Sequence, residues 1–260
     1  MGYLEIVAGK VVSPTQGHMP QFLFGLDASK PSTPGVGDMY YATNTLKIYN
    51  CYVAGLWTLT SSPASERYSN HLGAVDNFTG VAASAGWSNT TDAANHEMDM
   101  ASDALTTGYC RFTTKKMWSL GALSSPVICN FILQNIVPGT NAGYSGSKIG
   151  LSADFQTVLN NNTAAFSLSP GNVWQTYTID NAGGQHFTTI DPQITNGDLC
   201  TIIGVSSYVI YLVNGVLVAT HQLNLPTAPM FAGAGIAAEG AAFSVARTWS
   251  LDYFDVIVLK

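Results

Sequence analysis

Glu97-Met98-Asp99-Met100-Ala101 sets two carboxylates two residues apart. Side chains alternate between the faces of an extended strand, so this spacing would point both acids the same way. Paired carboxylates are the groups that cleave glycosidic bonds. In a row of three at this spacing the first attacks the sugar and the last serves as acid and base, about 5 Å away in the retaining form. A third carboxylate at position 101 would extend the row, but the residue there is Ala101. Asp103 lies two residues further on, too far along a strand to replace it simply. The segment carries no strong strand pattern, and Thr91 to Leu105 has room for a turn or two of helix. The expectation is therefore that the chain is not an enzyme.

Other catalytic arrangements find less support. His18, His71, His96, His186 and His221 are scattered, without the i, i+4 spacing of a metal-binding helix, and no G-x-S-x-G elbow surrounds a serine. Asp180, Asp191 and Asp198 occupy Gly- and Asn-rich loops, but their spacing reproduces no known calcium loop. No metal and no other cofactor is expected. Sugar binding needs open aromatic faces beside amide side chains. Trp87, Trp118, Tyr144 and Trp174 sit in loops or at strand ends and are the candidates for that contact. Asn77, Asn89 and Asn161 each begin an N-x-Thr sequon.

The elements that must position these residues are strands. Ser, Thr, Asn and Gly abound, Lys and Glu are scarce, and only 10% of the 260 residues are charged. Leu199 to His221 is the plainest stretch, with two apolar runs flanking Asn214-Gly215. Asn and Gly tolerate the positive φ angles of a type I′ turn, so a hairpin is predicted with both faces buried at the centre of a sandwich. Further strands are predicted at Gly108–Thr114, Val127–Ile136, Lys148–Leu151, Val158–Leu159, Ala164–Leu168, Val173–Ile179, Cys200–Ile203, Met230–Ala237 and Ser250–Leu259. Turn signals such as Pro138-Gly139, Gly183-Gly184 and Asn196-Gly197 separate them, which indicates an all-β two-sheet antiparallel sandwich over residues 67–260.

The N-terminal part reads differently. Residues 1–30 form an arm with short strands at Tyr3–Val7 and Lys10–Val12 and an apolar Phe22-Leu23-Phe24 stretch. Residues 31–60 read as a three-stranded meander: Asp38–Ala42, Leu46–Tyr52 and Leu56–Leu59. Residues 61–66 read as a linker. The meander is too small to bury a core alone. A homo-oligomer, with a trimer expected, would cover it through Phe22, Leu23, Phe24, Tyr40, Tyr49 and Trp57.

Composition narrows the partners. The net charge is −6 and Lys115-Lys116 is the one adjacent basic pair, which gives nucleic acid little to bind. No apolar run reaches the roughly 18 residues of a membrane span, and no membrane insertion is expected. The start, MGYLEIVAGK, has no charged-then-apolar leader, and Ile6 stands where myristoylation requires Ser or Thr. Cys51, Cys110, Cys129 and Cys200 are widely spaced. Buried free thiols are expected, with one disulfide from Cys110 to Cys129 or Cys200 as the alternative.

Two resemblances add to this reading. Gly37-Asp38-x-Tyr40-x-Ala42-Thr43-x-Thr45-x-x-x-Tyr49, followed by Gly55-x-Trp57, resembles a small module of bacteriophage tail fibres and other virion appendage proteins. Asn44 stands where that family usually has Asp. The resemblance implies a structural module, often packed about a three-fold axis. Tyr208-x-Ile210-Tyr211-x-Val213-Asn214-Gly215-x-Leu217-Val218-Ala219-Thr220 resembles the V-N-G hairpin of concanavalin A-like jelly rolls of the lectin and laminin-G type. Leu251-Asp252-Tyr253-Phe254-x-Val256 is similar to their closing strand, and Asp76-Asn77-Phe78 with Trp87 to their opening strand. Jelly-roll β-glucanases carry E-x-D-x-E on one strand, from which Ala101 departs.

Together these imply a structural protein of the virion surface, a fibre, spike or decoration. Its partners would be itself, other virion proteins and a host glycan. The alternatives are a carbohydrate-binding receptor protein and a secreted glycan hydrolase.

Overall fold

Asn214 and Gly215 have φ angles of 51° and 77°, the positive pair that the predicted hairpin turn demands. The computed structural model describes residues 5–7, 10–12, 20–63, 65–70, 78–82, 86–92, 97–102, 107–137, 144–156, 162–169, 171–239 and 246–260. The predicted strand at Val158–Leu159 lies outside them. The chain divides into two units, one of residues 1–66, 121–126 and 258–260, the other of residues 67–120 and 127–257.

The larger unit is a sandwich of two antiparallel sheets. One sheet holds β9 (Ser88–Asp92), β10 (Glu97–Ala101), β12 (Val127–Val137), β17 (Leu199–Val205), β18 (Tyr208–Val213), β19 (Val216–His221) and β21 (Thr248–Leu259). Their order among the described residues is β19-β18-β17-β12-β21-β10-β9, with β7 (Ser65–Asn70) also paired to β21. The other sheet runs β16-β15-β14-β13-β20-β11-β8. Its strands are β8 (Phe78–Ala82), β11 (Gly108–Trp118), β13 (Tyr144–Ser152), β14 (Thr163–Leu168), β15 (Trp174–Ile179), β16 (Gln185–Thr189) and β20 (Met230–Glu239).

Period-two alternation builds the interior between the sheets. Phe166 of β14 meets Phe131 of β12 edge-on at 5.6 Å and Tyr211 of β18 at 5.2 Å. The Tyr211 hydroxyl donates to the Tyr177 carbonyl at 2.8 Å, so its polar end is satisfied within that core. Residues 153–156 lie over β20. A Cβ at Gly235 would come within 2.7 Å of the Phe155 carbonyl, so only glycine lets the two backbones approach there.

Several expectations change. The hairpin is at the sheet's edge rather than its centre: β18 is buried throughout, whereas Val216 and Leu217 on β19 are 65% and 41% exposed. An outermost strand has a neighbour on one side only, so apolar sequence alone cannot bury it. The linker predicted at 61–66 runs into strand β7. The helix weighed for Thr91–Leu105 is replaced by strands at β9 and β10. Cys51, Cys110, Cys129 and Cys200 are free, buried thiols, so the alternative disulfide does not form. Burial pushes the Cys110 thiol up to about 12.

The smaller unit contains the hairpin of β1 (Glu5–Val7) and β2 (Lys10–Val12). It also contains a sheet ordered β3 (Phe22–Gly25), β4 (Met39–Ala42), β5 (Lys47–Val53) and β6 (Leu56–Ser61). The motif residues hold this module together. Asp38, buried, accepts from the backbone N–H of Gln21 and of Gly35, both at 2.8 Å. The Tyr40 hydroxyl donates to the Leu26 carbonyl at 2.7 Å, and Trp57 Nε1 to the Pro31 carbonyl at 2.7 Å. Tyr49, its ring under the Lys30 ammonium, donates to Asp27 at 3.1 Å. Tyr40 and Tyr49 are thus buried inside one protomer, Trp57 is half-buried, and Phe22-Leu23-Phe24 is strand β3 at the sheet edge.

Candidate functional site

Strand β10 corrects the reading of Glu97–Ala101 as unpatterned. Met98 and Met100 alternate into the core, each buried, which puts Asp99 and Ala101 on the opposite face; Glu97 shares their parity. Methionine lacks a β-branch, so the alternation was there to read without the composition of a typical strand. Asp99 is opposite Ser250 in the pairing of β10 with β21. Ser250 Oγ donates to its carboxylate at 2.6 Å, and Asn135 Nδ2 donates to Ser250 Oγ at 3.2 Å. This carboxylate is engaged by protein on one oxygen. Asp103 lies outside the described residues.

One residue beyond Asn135, Ile136 lines a cavity of about 330 Å³ at the end of the sandwich. Asn172, Trp174, Gln193, Thr195 and Asn196 line it too, and among the described residues no charged side chain does. Three separate parts of the chain converge there. β12 delivers Ile136. β15 begins at Trp174, whose ring stacks on Trp249 of β21 at 5.9 Å and 22°. Residues 190–198 form a loop that closes over the end.

Hydrogen bonds fix that loop. Gln193 Oε1 accepts from the Trp174 N–H, and its Nε2 donates to the Ile190 carbonyl. Asn196 Oδ1 accepts from the Ile136 N–H at 3.0 Å, and the Gly197 N–H donates to the Leu133 carbonyl at 2.8 Å. Asp198 Oδ2 accepts from the Thr195 N–H at 2.7 Å and from its hydroxyl at 2.9 Å, closing the Thr195–Asp198 turn together with the Asp198 N–H bond to the Thr195 carbonyl.

Arg247 fixes the facing loop. Its guanidinium is buried and donates to Ser147 Oγ, to the Leu168 and Ser169 carbonyls, and to Asn172 Oδ1 at 3.0 Å. Burial lowers its pKa to about 10, still far above neutrality, so it stays charged. Asn172 adopts φ of 59°, which Asn tolerates better than most residues. The Oδ1 atoms of Asn172 and Asn196 are thus taken, while neither Nδ2 has a partner among the described residues. The cavity offers amide donors beside the buried Trp174, an arrangement suited to hydroxyl-rich neutral ligands.

Of the residues picked out in the sequence, Trp174 is the one that reaches this cavity. Trp174 is itself buried, at 3% exposure, as are Trp87 and Trp118, so none of the three presents an open ring face, and the side chain of Tyr144 lies outside the described residues. His221 is buried on β19, with Nε2 3.1 Å from Thr176 Oγ1 and Nδ1 3.2 Å from Thr178 Oγ1; His18, His71 and His96 lie outside the described residues. Asp180 spends one oxygen on the Ala182 and Gly184 N–H groups, and among the described residues no group of three His, Cys, Asp or Glu is placed to hold a metal. Gln193, Asn196 and Arg247 were missed, because the convergence of residues 136, 172, 193 and 247 has no signature in local spacing.

No protein-family model matches the chain, and no curated protein does. Solved structures do. The Crh5 transglycosylase in complex with NAG superposes with a TM-score of 0.52 at 15% identity, over 75% of this chain and 83% of its own. A prokaryotic β-1,3-1,4-glucanase (lichenase) derived from a mouse hindgut metagenome gives 0.51 at 12%, over 74% and 98%. The Emp47p carbohydrate recognition domain gives 0.51 at 8%, over 77% and 97%. At such identities the likeness is one of fold: the chain contains a jelly roll of the concanavalin A-like lectin and glucanase kind. The expectation from Ala101 that the chain is not an enzyme is overturned by these neighbours, which include hydrolases and transglycosylases. Ala101 speaks against one arrangement of carboxylates and leaves other chemistry on this fold open.

Proposed function

We propose that the jelly roll recognises a neutral glycan in the cavity between Trp174 and the 190–198 loop. The observation that carries this reading is the uncharged lining: three amide side chains beside the buried Trp174, two of them with an N–H₂ group that has no partner among the described residues. A fold shared with lectin domains and glycan-processing enzymes supports it. Titration of the full chain against a panel of neutral oligosaccharides tests it. Saturable binding that falls at least about tenfold in Asn196→Ala, with the thermal transition retained, supports the reading. No binding across the panel overturns it. The same panel is assayed for new reducing ends, which would disclose turnover.

The exposure of β3 favours a second role. Phe22 and Phe24 are 43% and 72% exposed, and Leu26 beside them is exposed too. An apolar strand edge of this kind favours self-association, as the resemblance to virion appendage modules implies for a surface component of a particle. Light scattering of the full chain tests it. A trimer that becomes a monomer in Phe22→Ser/Phe24→Ser supports assembly through β3, and a monomeric full chain at micromolar concentration overturns it.

A further inference from the structure

A second cavity, also of about 330 Å³, borders the 190–198 loop. Gln193 and Thr195 line both cavities, so the loop is a shared partition. The two linings differ in charge. The second contains Asp191 and Asp198 together with Asn214, and its apolar wall includes Val213, Val216, Leu217 and Val218. Among the described residues no Lys, Arg or His lines either cavity.

The two acids have different employment. Partial burial pushes the Asp198 carboxyl up, but the Thr195 N–H, the Asn214 amide and the Thr195 hydroxyl outweigh it and hold it below the ordinary carboxylate range. Asp198 Oδ1 accepts from Asn214 Nδ2 at 2.7 Å, which ties the loop to the hairpin turn. Asp198 is therefore a charged structural group. Asp191 has no hydrogen bond and no ion pair among the described residues, so its charge is uncompensated at the cavity wall.

We propose that the glycan site continues over the loop into this second cavity, which takes a sugar unit bearing a protonated amine. The proposal rests on the glycan reading of the first cavity. Each cavity is at the small end of the range for small-molecule sites, about 300–1,000 Å³, which suits one ring apiece and hence a ligand of two or more units. Asp191 supplies the charge that selects an ammonium over a hydroxyl. Asp198 adds to the same field, and a sugar carrying a carboxylate or sulfate meets two like charges with no cation to offset them.

Calorimetric titration of the full chain with two probes tests this. Cellobiose and the β-1,4-linked disaccharide of glucosamine share a skeleton and differ in hydroxyl against ammonium at position 2. The glucosamine disaccharide is expected to bind about fivefold more tightly at low salt, the size of an exposed ion pair. Asp191→Asn is expected to abolish that preference. Equal affinity in the native protein, or a preference that survives Asp191→Asn, overturns the proposal. So does failure of the glucosamine disaccharide to bind while a neutral glycan of the panel does, and the glycan reading then stands. Failure of every glycan overturns both.

Discussion

The carboxylate on β10 and the loop over residues 190–198 are two places where the sandwich exposes polar chemistry, and they treat it in opposite ways. Asp99 is the more chemically suggestive residue, yet a strand neighbour, Ser250, binds it at 2.6 Å, and Asn135 backs that serine. The loop has no suggestive motif. Gln193 is tied at both ends of its amide, whereas Asn196 spends its oxygen on the Ile136 N–H and keeps an N–H₂ donor beside the cavity it lines. On a strand, cross-strand pairing brings polar neighbours together and satisfies them. A loop anchored at several points can hold a side chain by one end and present the other.

If the loop site rests on the core beneath it, the largest effect comes from Trp174→Ala. That change removes a cavity wall and the ring stacked on Trp249, and should cost about 3–5 kcal/mol in denaturant unfolding. Glycan affinity should go with it. Unchanged stability would mean that the loop stands independently of that stack.

Acid should act on the same strand. His221 is buried against Thr176 and Thr178 of β15, and burial, helped by nearby His186, lowers its pKa from 6.5 to about 4. The folded state therefore favours the neutral ring, while the unfolded chain binds a proton below 6.5. Stability from this group is complete above pH 6.5 and is lost as pH falls toward 4, by up to about 3 kcal/mol. Urea titrations between pH 7 and pH 4.5 measure the slope, and His221→Gln should flatten it. An identical slope in that variant would assign the acid sensitivity elsewhere.

The elements that hold this site were legible to different degrees. The 208–221 hairpin could be read because Asn214-Gly215 forces its geometry locally. Its place at the edge could not, because edge and centre are decided by which strands pair. β10 was legible in principle, as Met98 and Met100 alternate with acids. Its neighbour β9, Ser-Asn-Thr-Thr-Asp, has no apolar residue to mark a strand, so the pair lacks the composition of a hairpin. The cavity was not legible: Asn172, Gln193 and Asn196 are ordinary loop residues until β12, β15 and Arg247 bring them together. Trp174 entered the list of candidates for its type, and tertiary packing made it a wall.

Smaller effects sharpen the contrast. Gln193→Ala removes the amide that joins the loop to the Trp174 backbone. It should cost about 1–2 kcal/mol, read in thermal unfolding, and weaken glycan binding. Asp99→Asn keeps an acceptor for Ser250 and should change stability by less than about 1 kcal/mol, with glycan affinity intact. A larger loss in the Asp99 variant than in the Gln193 variant would reverse the ranking of the two regions.

The most direct test sets those two variants side by side in one titration series, using the neutral oligosaccharide that the native protein binds best. The account predicts that Gln193→Ala loses at least about tenfold in affinity and that Asp99→Asn binds like the native protein. Binding that survives in Gln193→Ala and disappears in Asp99→Asn would contradict it, and would move the glycan from the loop cavity to the face of β10.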